Sequence, residues 1–97
     1  MEISKITRIE FENWLSKQPK GRVVGKACLD NDCPVSNFLF DFTGNRYSVS
    51  PSVAIAQEAT HYEPTPPWME KFVKMIDASP FGKAVTAAQC LQLLRFH

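Results

Sequence analysis

Proline and glycine divide this sequence into short pieces, and that division limits what it can fold into. The chain carries seven prolines and four glycines in 97 residues. Proline removes a backbone donor and clashes inside helices, and glycine supplies the left-handed turns that end them. Every predicted element is therefore short, and the loops are too short to hold a domain boundary. No stretch approaches the ~20 apolar residues that a membrane-spanning helix needs.

Cap signals place the helices between these breaks. Thr7 and Glu10 have the S/T-x-x-E spacing of a capping box, and Ile6 and Phe11 sit where a hydrophobic staple would form. Phe11, Trp14 and Leu15 share one helical face, and Pro19 and Gly21 end the pattern, which predicts a helix over 8–18. The adjacent valines of 22–28 predict a strand, followed by a turn at Leu29-Asp30-Asn31-Asp32. Pro34 suits the first position of a second helix over 34–42, with Val35, Phe38, Leu39 and Phe42 at helical spacing and Gly44 as its stop. Residues 46–50 alternate like a strand until Pro51, and 52–57 predict a further strand with Val53 and Ile55 on one face. Residues 58–65 read as a polar loop carrying His61.

Thr65-Pro66-Pro67 opens a third helix over about 66–78, with a Trp68, Phe72 and Ile76 stripe, and Ser79-Pro80-Phe81-Gly82 breaks it. Thr86 and Gln89 form a second capping box for a last helix over 87–96. The expected fold is a single α+β domain over residues 1–97, with about four helices packed on one face of a short two- to three-stranded sheet.

Composition narrows the function classes. Hydrophobic residues at 44% and charged residues at 22% are near globular averages, which excludes disorder as a whole-chain description. Eleven basic residues against ten acidic ones leave a net charge of +1, so no global charge draws the chain to nucleic acid or to an anionic membrane. The charged start Met1-Glu2-Ile3-Ser4-Lys5 is not followed by the apolar run of a signal peptide. The odd set Cys28, Cys33 and Cys90 argues against a secreted disulfide framework. The expectation is a cytoplasmic protein with free thiols, no cofactor and no membrane contact.

The densest reactive cluster is Cys28 to Cys33. The pair could give zinc two thiolates, with His61, Cys90 or His97 completing four ligands, but no second tight pair supports it. The sequence favours no metal and a Cys28 that ends a strand facing the core. Cys33 before Pro34 would sit at a helix N-terminus, where the dipole lowers a thiol pKa. A thiol enzyme would then need His61 as base, with Asp30, Asp32 or Glu63 to orient it. Gly21 to Ala27 fails as a P-loop, and Asp30-Asn31-Asp32 lacks the frame of a calcium loop. The last two helices could imitate a helix-turn-helix that presents Ala87, Gln89 or Gln92 to bases, but its last helix carries one basic residue, Arg95.

Two features point to a partner. Lys17, Lys20, Arg22 and Lys26 form a basic run around the first turn. Tyr62 and Trp68 flank a stiff segment holding Pro64, Pro66 and Pro67, and aromatic residues are enriched at interface hot spots. The spacing of Trp68 to Phe72 also suits a buried stripe. The ordered set Trp14-Leu15, Gln18-Pro19, Val23-Val24-Gly25, Cys33-Pro34-Val35, Trp68 with Phe72-Val73, Asp77 and Val85-Thr86-Ala87 resembles a group of small uncharacterised bacterial proteins. That group includes cyanobacterial and phage- or plasmid-borne examples. The resemblance covers most of the chain and implies no activity or functional residue. The expected function is a non-enzymatic protein-interaction or regulatory module, an adaptor or inhibitor of a larger complex, with mobile-element origin suggested by size. The alternatives are a nucleic-acid-binding regulator using the 17–26 turn or the C-terminal helix, and a thiol enzyme or zinc site at Cys28 and Cys33. Oligomeric state is open, because residues buried in a monomer can equally be buried in a dimer.

Overall fold

The computed structural model describes residues 3–57 and 61–96. A 3-10 turn, Ile3–Lys5, leads into α1 (Arg8–Ser16), β1 (Val23–Lys26), α2 (Pro34–Thr43), β2 (Tyr47–Val49), β3 (Val53–Ala56), β4 (His61–Pro64), α3 (Pro67–Asp77), β5 (Ala84–Thr86) and α4 (Ala87–Phe96). The class is α+β, as the sequence predicts. The strands, however, form two small sheets rather than one.

α1, α2 and α4 start where side-chain cap chemistry directs. Thr7 Oγ1 accepts the Glu10 N–H at 3.2 Å, and Glu10 Oε1 accepts the Thr7 N–H at 3.0 Å. Thr86 and Gln89 repeat the exchange at 3.2 and 2.8 Å. In α2 the Cys33 sulfur accepts the Ser36 N–H at 3.4 Å, Pro34 stands at the helix start, and Gly44 closes the helix at φ 82°. α3 has no side-chain cap and begins with Pro67 preset for helix.

The sheet pairings depend on contacts distant in sequence. β1 pairs antiparallel with β5, with Gly25 facing Val85 and Lys26 facing Ala84. β2, β3 and β4 form an antiparallel meander in which Val49 faces Ala54 and Ile55 faces Tyr62. The expected loop over 58–65 thus contains a strand at 61–64, and the stretch before the last helix contains another at 84–86. Val53 and Ile55 do share the more open face of β3, while Ala54 and Ala56 turn inward.

The core gathers around Phe11, which is fully buried. Its ring centroid lies 5.0 Å from Phe72, 5.1 Å from Phe38 and 5.4 Å from Trp68. Ile3, Leu15, Leu39, Met69 and Cys90 fill the remaining interior. α1 packs on α4 and α2, and α2 lies against both β1 and β2. Glu63 is the one buried carboxylate among the described residues. Its two oxygens accept the Ile3 N–H at 2.9 Å and the Tyr47 hydroxyl at 3.2 Å, so it ties the N-terminal turn to the meander. No described helix is long and apolar enough to cross a membrane.

Candidate functional site

One member of the basic run, Arg22, lines a groove that the sequence does not reveal. Pro19 and Gly21 turn the chain from α1 toward β1, and the turn is pinned: Ala87 N–H donates to Arg22 O at 3.0 Å and Ala88 N–H to Lys20 O at 3.1 Å. The first turn of α4 thereby finds acceptors for its free donors. Lys17, Lys20, Arg22 and Lys26 are all exposed, and among the described residues none of the four side chains has a hydrogen-bonding or ion-pair partner.

Arg22, Val23 and Val24 form one wall of a cavity of about 220 Å³. Trp14 and Gln18 of α1 form a second wall, and Asn37, Phe40 and Asp41 of α2 a third, with Arg46 at the end. Val23 is 49% exposed and Phe40 44%, while Trp14 is half-buried. The walls are held by polar links. Trp14 Nε1 donates to Asp41 Oδ2 at 2.9 Å, and Asn37 Nδ2 donates to Val24 O at 2.7 Å. Arg46 Nη1 donates to Asn37 Oδ1 at 2.9 Å, and its guanidinium lies 4.5 Å over the Phe40 ring. The result is an indole, a phenyl ring and two arginines around one concavity, with Asp41 already engaged by Trp14.

Of these residues, the sequence points to Arg22 as a partner contact and places Trp14 on the helical face of Phe11 and Leu15. Nothing in the sequence pattern singles out Arg46, and Phe40 is marked only by its place. One signal was available: Phe40 lies off the Val35, Phe38, Leu39 and Phe42 stripe, which leaves a large apolar side chain without a core position. Phe42, expected in that stripe, packs its ring 5.2 Å from Phe38 and remains 38% exposed.

The two aromatic candidates of the Pro-rich segment separate. Tyr62 is 69% exposed on β4, directly opposite Ile55. Trp68 is half-buried, stacks on Phe11 and donates its Nε1 proton to Ile6 O at 2.8 Å. Both its ring and its polar handle serve the core, as its spacing to Phe72 suggests.

The three cysteines are free, with Cys33 and Cys90 buried and Cys28 half-buried. Burial pushes the Cys33 thiol up to about 11, although hydrogen bonds from Ser36 and Val35 N–H act the other way. Desolvation therefore outweighs the helix-start effect expected from sequence. Burial likewise lifts Cys90 to about 12, with Cys33 adding to it. Cys28 does not end a strand. β1 stops at Lys26, and Cys28 adopts φ 63° in the turn beyond, half-buried. Its N–H donates to Asp77 Oδ1 at 3.3 Å, and its thiol donates to Asp77 O at 3.4 Å at the end of α3. Desolvation raises the Asp77 carboxyl, with Asp30 adding to it and the Cys28 N–H acting the other way. Desolvation also raises the Tyr47 phenol, reinforced by Glu63.

Among the described residues, no three His, Cys, Asp or Glu side chains come together as a metal site. The His61 side chain and His97 lie outside the described residues. Alkylation with iodoacetamide near neutral pH is expected to label Cys28 alone in the folded protein, with Cys33 and Cys90 labelled only after denaturation. Peptide mass mapping reads this, and Cys33 labelling as fast as Cys28 would contradict it.

The helix-turn-helix resemblance also dissolves. β5 and its pairing to β1 stand between α3 and α4, so the two helices are not joined by a short turn. Ala87 is buried, while Gln89 and Gln92 are exposed beside a second groove. No family model matches the chain, and no curated protein or solved structure matches it either.

Proposed function

We propose that this protein is a non-catalytic interaction module of the cytoplasm, acting as an adaptor or inhibitor of a larger complex, and that its α1–β1–α2 face docks a protein partner. The observation that carries this reading is the grouping of Trp14, Phe40, Arg46 and the exposed, unpaired Arg22 in one groove. Tryptophan and arginine are the residues most enriched at interface hot spots. The unpaired cations favour a partner segment that carries acidic side chains beside an apolar anchor. The anchor would lie on the exposed parts of Val23 and Phe40, and the acids would meet the lysines and Arg22.

Affinity capture of the tagged protein from its native host extract, in arms with and without nuclease, tests this. The full-length Phe40→Ala/Arg22→Glu double variant is run alongside. A stoichiometric protein partner is expected to survive nuclease and to be retained at least about tenfold less by the variant, as loss of hot-spot contacts implies. Retention unchanged by the variant overturns the assignment. Capture lost on nuclease treatment, with nucleic acid co-eluting, transfers the same four cations to a nucleic-acid-binding role, whose affinity would fall steeply with salt.

A further inference from the structure

A second groove lies elsewhere, where β5 meets α3 and α4. It encloses about 420 Å³, a volume within the range of ligand-binding clefts. Ile76, Val85 and Leu93 supply its apolar lining. Ile76 and Val85 are buried, and Leu93 packs half-buried against the core. The polar lining comes from Ser79, Lys83, Gln89 and Gln92, with no carboxylate among the lining residues.

β5 contributes Ala84 and Val85 to this groove. Lys26 N–H leaves the β1–β5 ladder for Asp32 O at 2.8 Å, while Ala27 N–H, one residue on, donates to Lys83 O at 2.8 Å. Antiparallel ladders alternate hydrogen-bonded and non-bonded pairs. Lys26 and Ala84 are thus a non-bonded pair, the Ala84 N–H and C=O point away from β1, and Ala84 itself lines the groove. The next outward donor, Thr86 N–H, is taken by Gln89 Oε1 at 2.8 Å. That bond fixes the Gln89 amide and leaves its two Nε2 protons for other acceptors.

We infer that this groove is a second binding site, one that takes a short extended peptide ending in a free carboxylate. One residue of an added strand would receive the Ala84 N–H on its carbonyl and return its own N–H to the Ala84 carbonyl. A small carboxylic acid would leave that carbonyl unmet, so the paired donor and acceptor favour a peptide unit. Lys83 and the Gln89 amide supply charge and protons for the carboxylate, and a side chain of the peptide covers Ile76, Val85 and Leu93. Charge complementarity selects the occupant: the lining holds one cation and no anion. None of these residues belongs to the α1–β1–α2 groove, so the two sites stand or fall separately.

The test is an NMR titration of the ¹⁵N-labelled full chain. The probe is a pool of synthetic tetrapeptides with Val, Leu, Ile or Phe at the last and third-last positions and a free C-terminus. The same pool with amidated C-termini is the comparison. Saturable shifts are expected at the Ala84 amide and at the Gln89 and Gln92 side-chain amides, with about tenfold weaker binding for the amidated pool. Lys83→Glu and Lys83→Met are each expected to weaken binding of the free-acid pool by about tenfold or more. Lys83 is exposed, so both variants are expected to fold, which the dispersion of their spectra checks. Three results would overturn the inference: no shift at Ala84 with the free-acid pool, equal binding of the amidated pool, or equal binding by both Lys83 variants.

Discussion

Phe11→Ala is expected to cost the fold about 3–5 kcal/mol, the range for truncating a fully buried phenylalanine. Phe11 is 0% exposed, and its ring contacts helices α1, α2 and α3 at once through Trp14, Phe38, Trp68 and Phe72. These neighbours cannot all close on the void. Trp14 is held by Asp41 on the surface, and Trp68 is held by Ile6 O through its indole N–H. The cavity would therefore remain largely open, which sets the cost toward the upper end of that range. A domain of this size has about 5–15 kcal/mol in total, so the variant sits near the unfolding threshold at room temperature. Urea unfolding followed by near-ultraviolet circular dichroism reads both quantities, since the ring cluster dominates the aromatic signal. A loss below about 1 kcal/mol would mean that the rings repack around the gap, as volume changes in adaptable cores allow.

That cluster also explains which parts of the fold were legible in the sequence. The helices were readable because their signals are local. Thr7 with Glu10, Thr86 with Gln89, and Pro34 with Gly44 each mark a boundary within a few residues, and the observed helices begin and end there to within one or two positions. β5 was not readable. Ala84, Val85 and Thr86 are too few to display an alternation, and their partner strand lies at the other end of the chain. β4 was hidden by its own polarity: Glu63 turns inward to serve Ile3 and Tyr47, opposite to what a charged residue in a loop suggests. Local pattern cannot distinguish one sheet from two, because that choice depends on which strand edges meet after the helices pack.

The candidate site follows the same division. Arg22, the lysines and Tyr62 could be named because turn and loop residues are exposed by default. The groove between Trp14, Phe40 and Arg46 exists only because α1 and α2 cross with those faces outward. Cys33 shows the limit from the other side. Its place at a helix start was legible, but the burial that decides its pKa comes from the packing of distant elements around it.

Gly25→Ala is expected to be the most damaging change of a single methyl group in the chain, at about 3 kcal/mol, the upper part of the range for overpacking. A Cβ built on Gly25 would lie 2.4 Å from Pro34 N and 2.5 Å from the Cys33 carbonyl carbon. Both are main-chain atoms at the start of α2, so no side chain can rotate out of the way. β1 is also tied on either side of the contact, to α2 by Asn37 Nδ2 to Val24 O at 2.7 Å and to the turn before α2 by Lys26 N–H to Asp32 O at 2.8 Å. Separating them to admit the methyl group strains both links and the β1–β5 ladder behind them. Gly21→Ala provides the contrast: nothing lies within 4 Å of its built Cβ. It is expected to be neutral or to stabilise by about 0.4–1 kcal/mol through the unfolded chain. Paired urea titrations separate the two, and coincident midpoints would show that β1 can lift from α2 at little cost. The consequence reaches the proposed interface, because Val23 and Val24 precede Gly25 and form one wall of the groove. A β1 displaced from α2 moves that wall away from Phe40 and Asn37. Partner retention by Gly25→Ala should therefore fall even below its unfolding temperature, whereas Phe11→Ala should lose it only in step with unfolding.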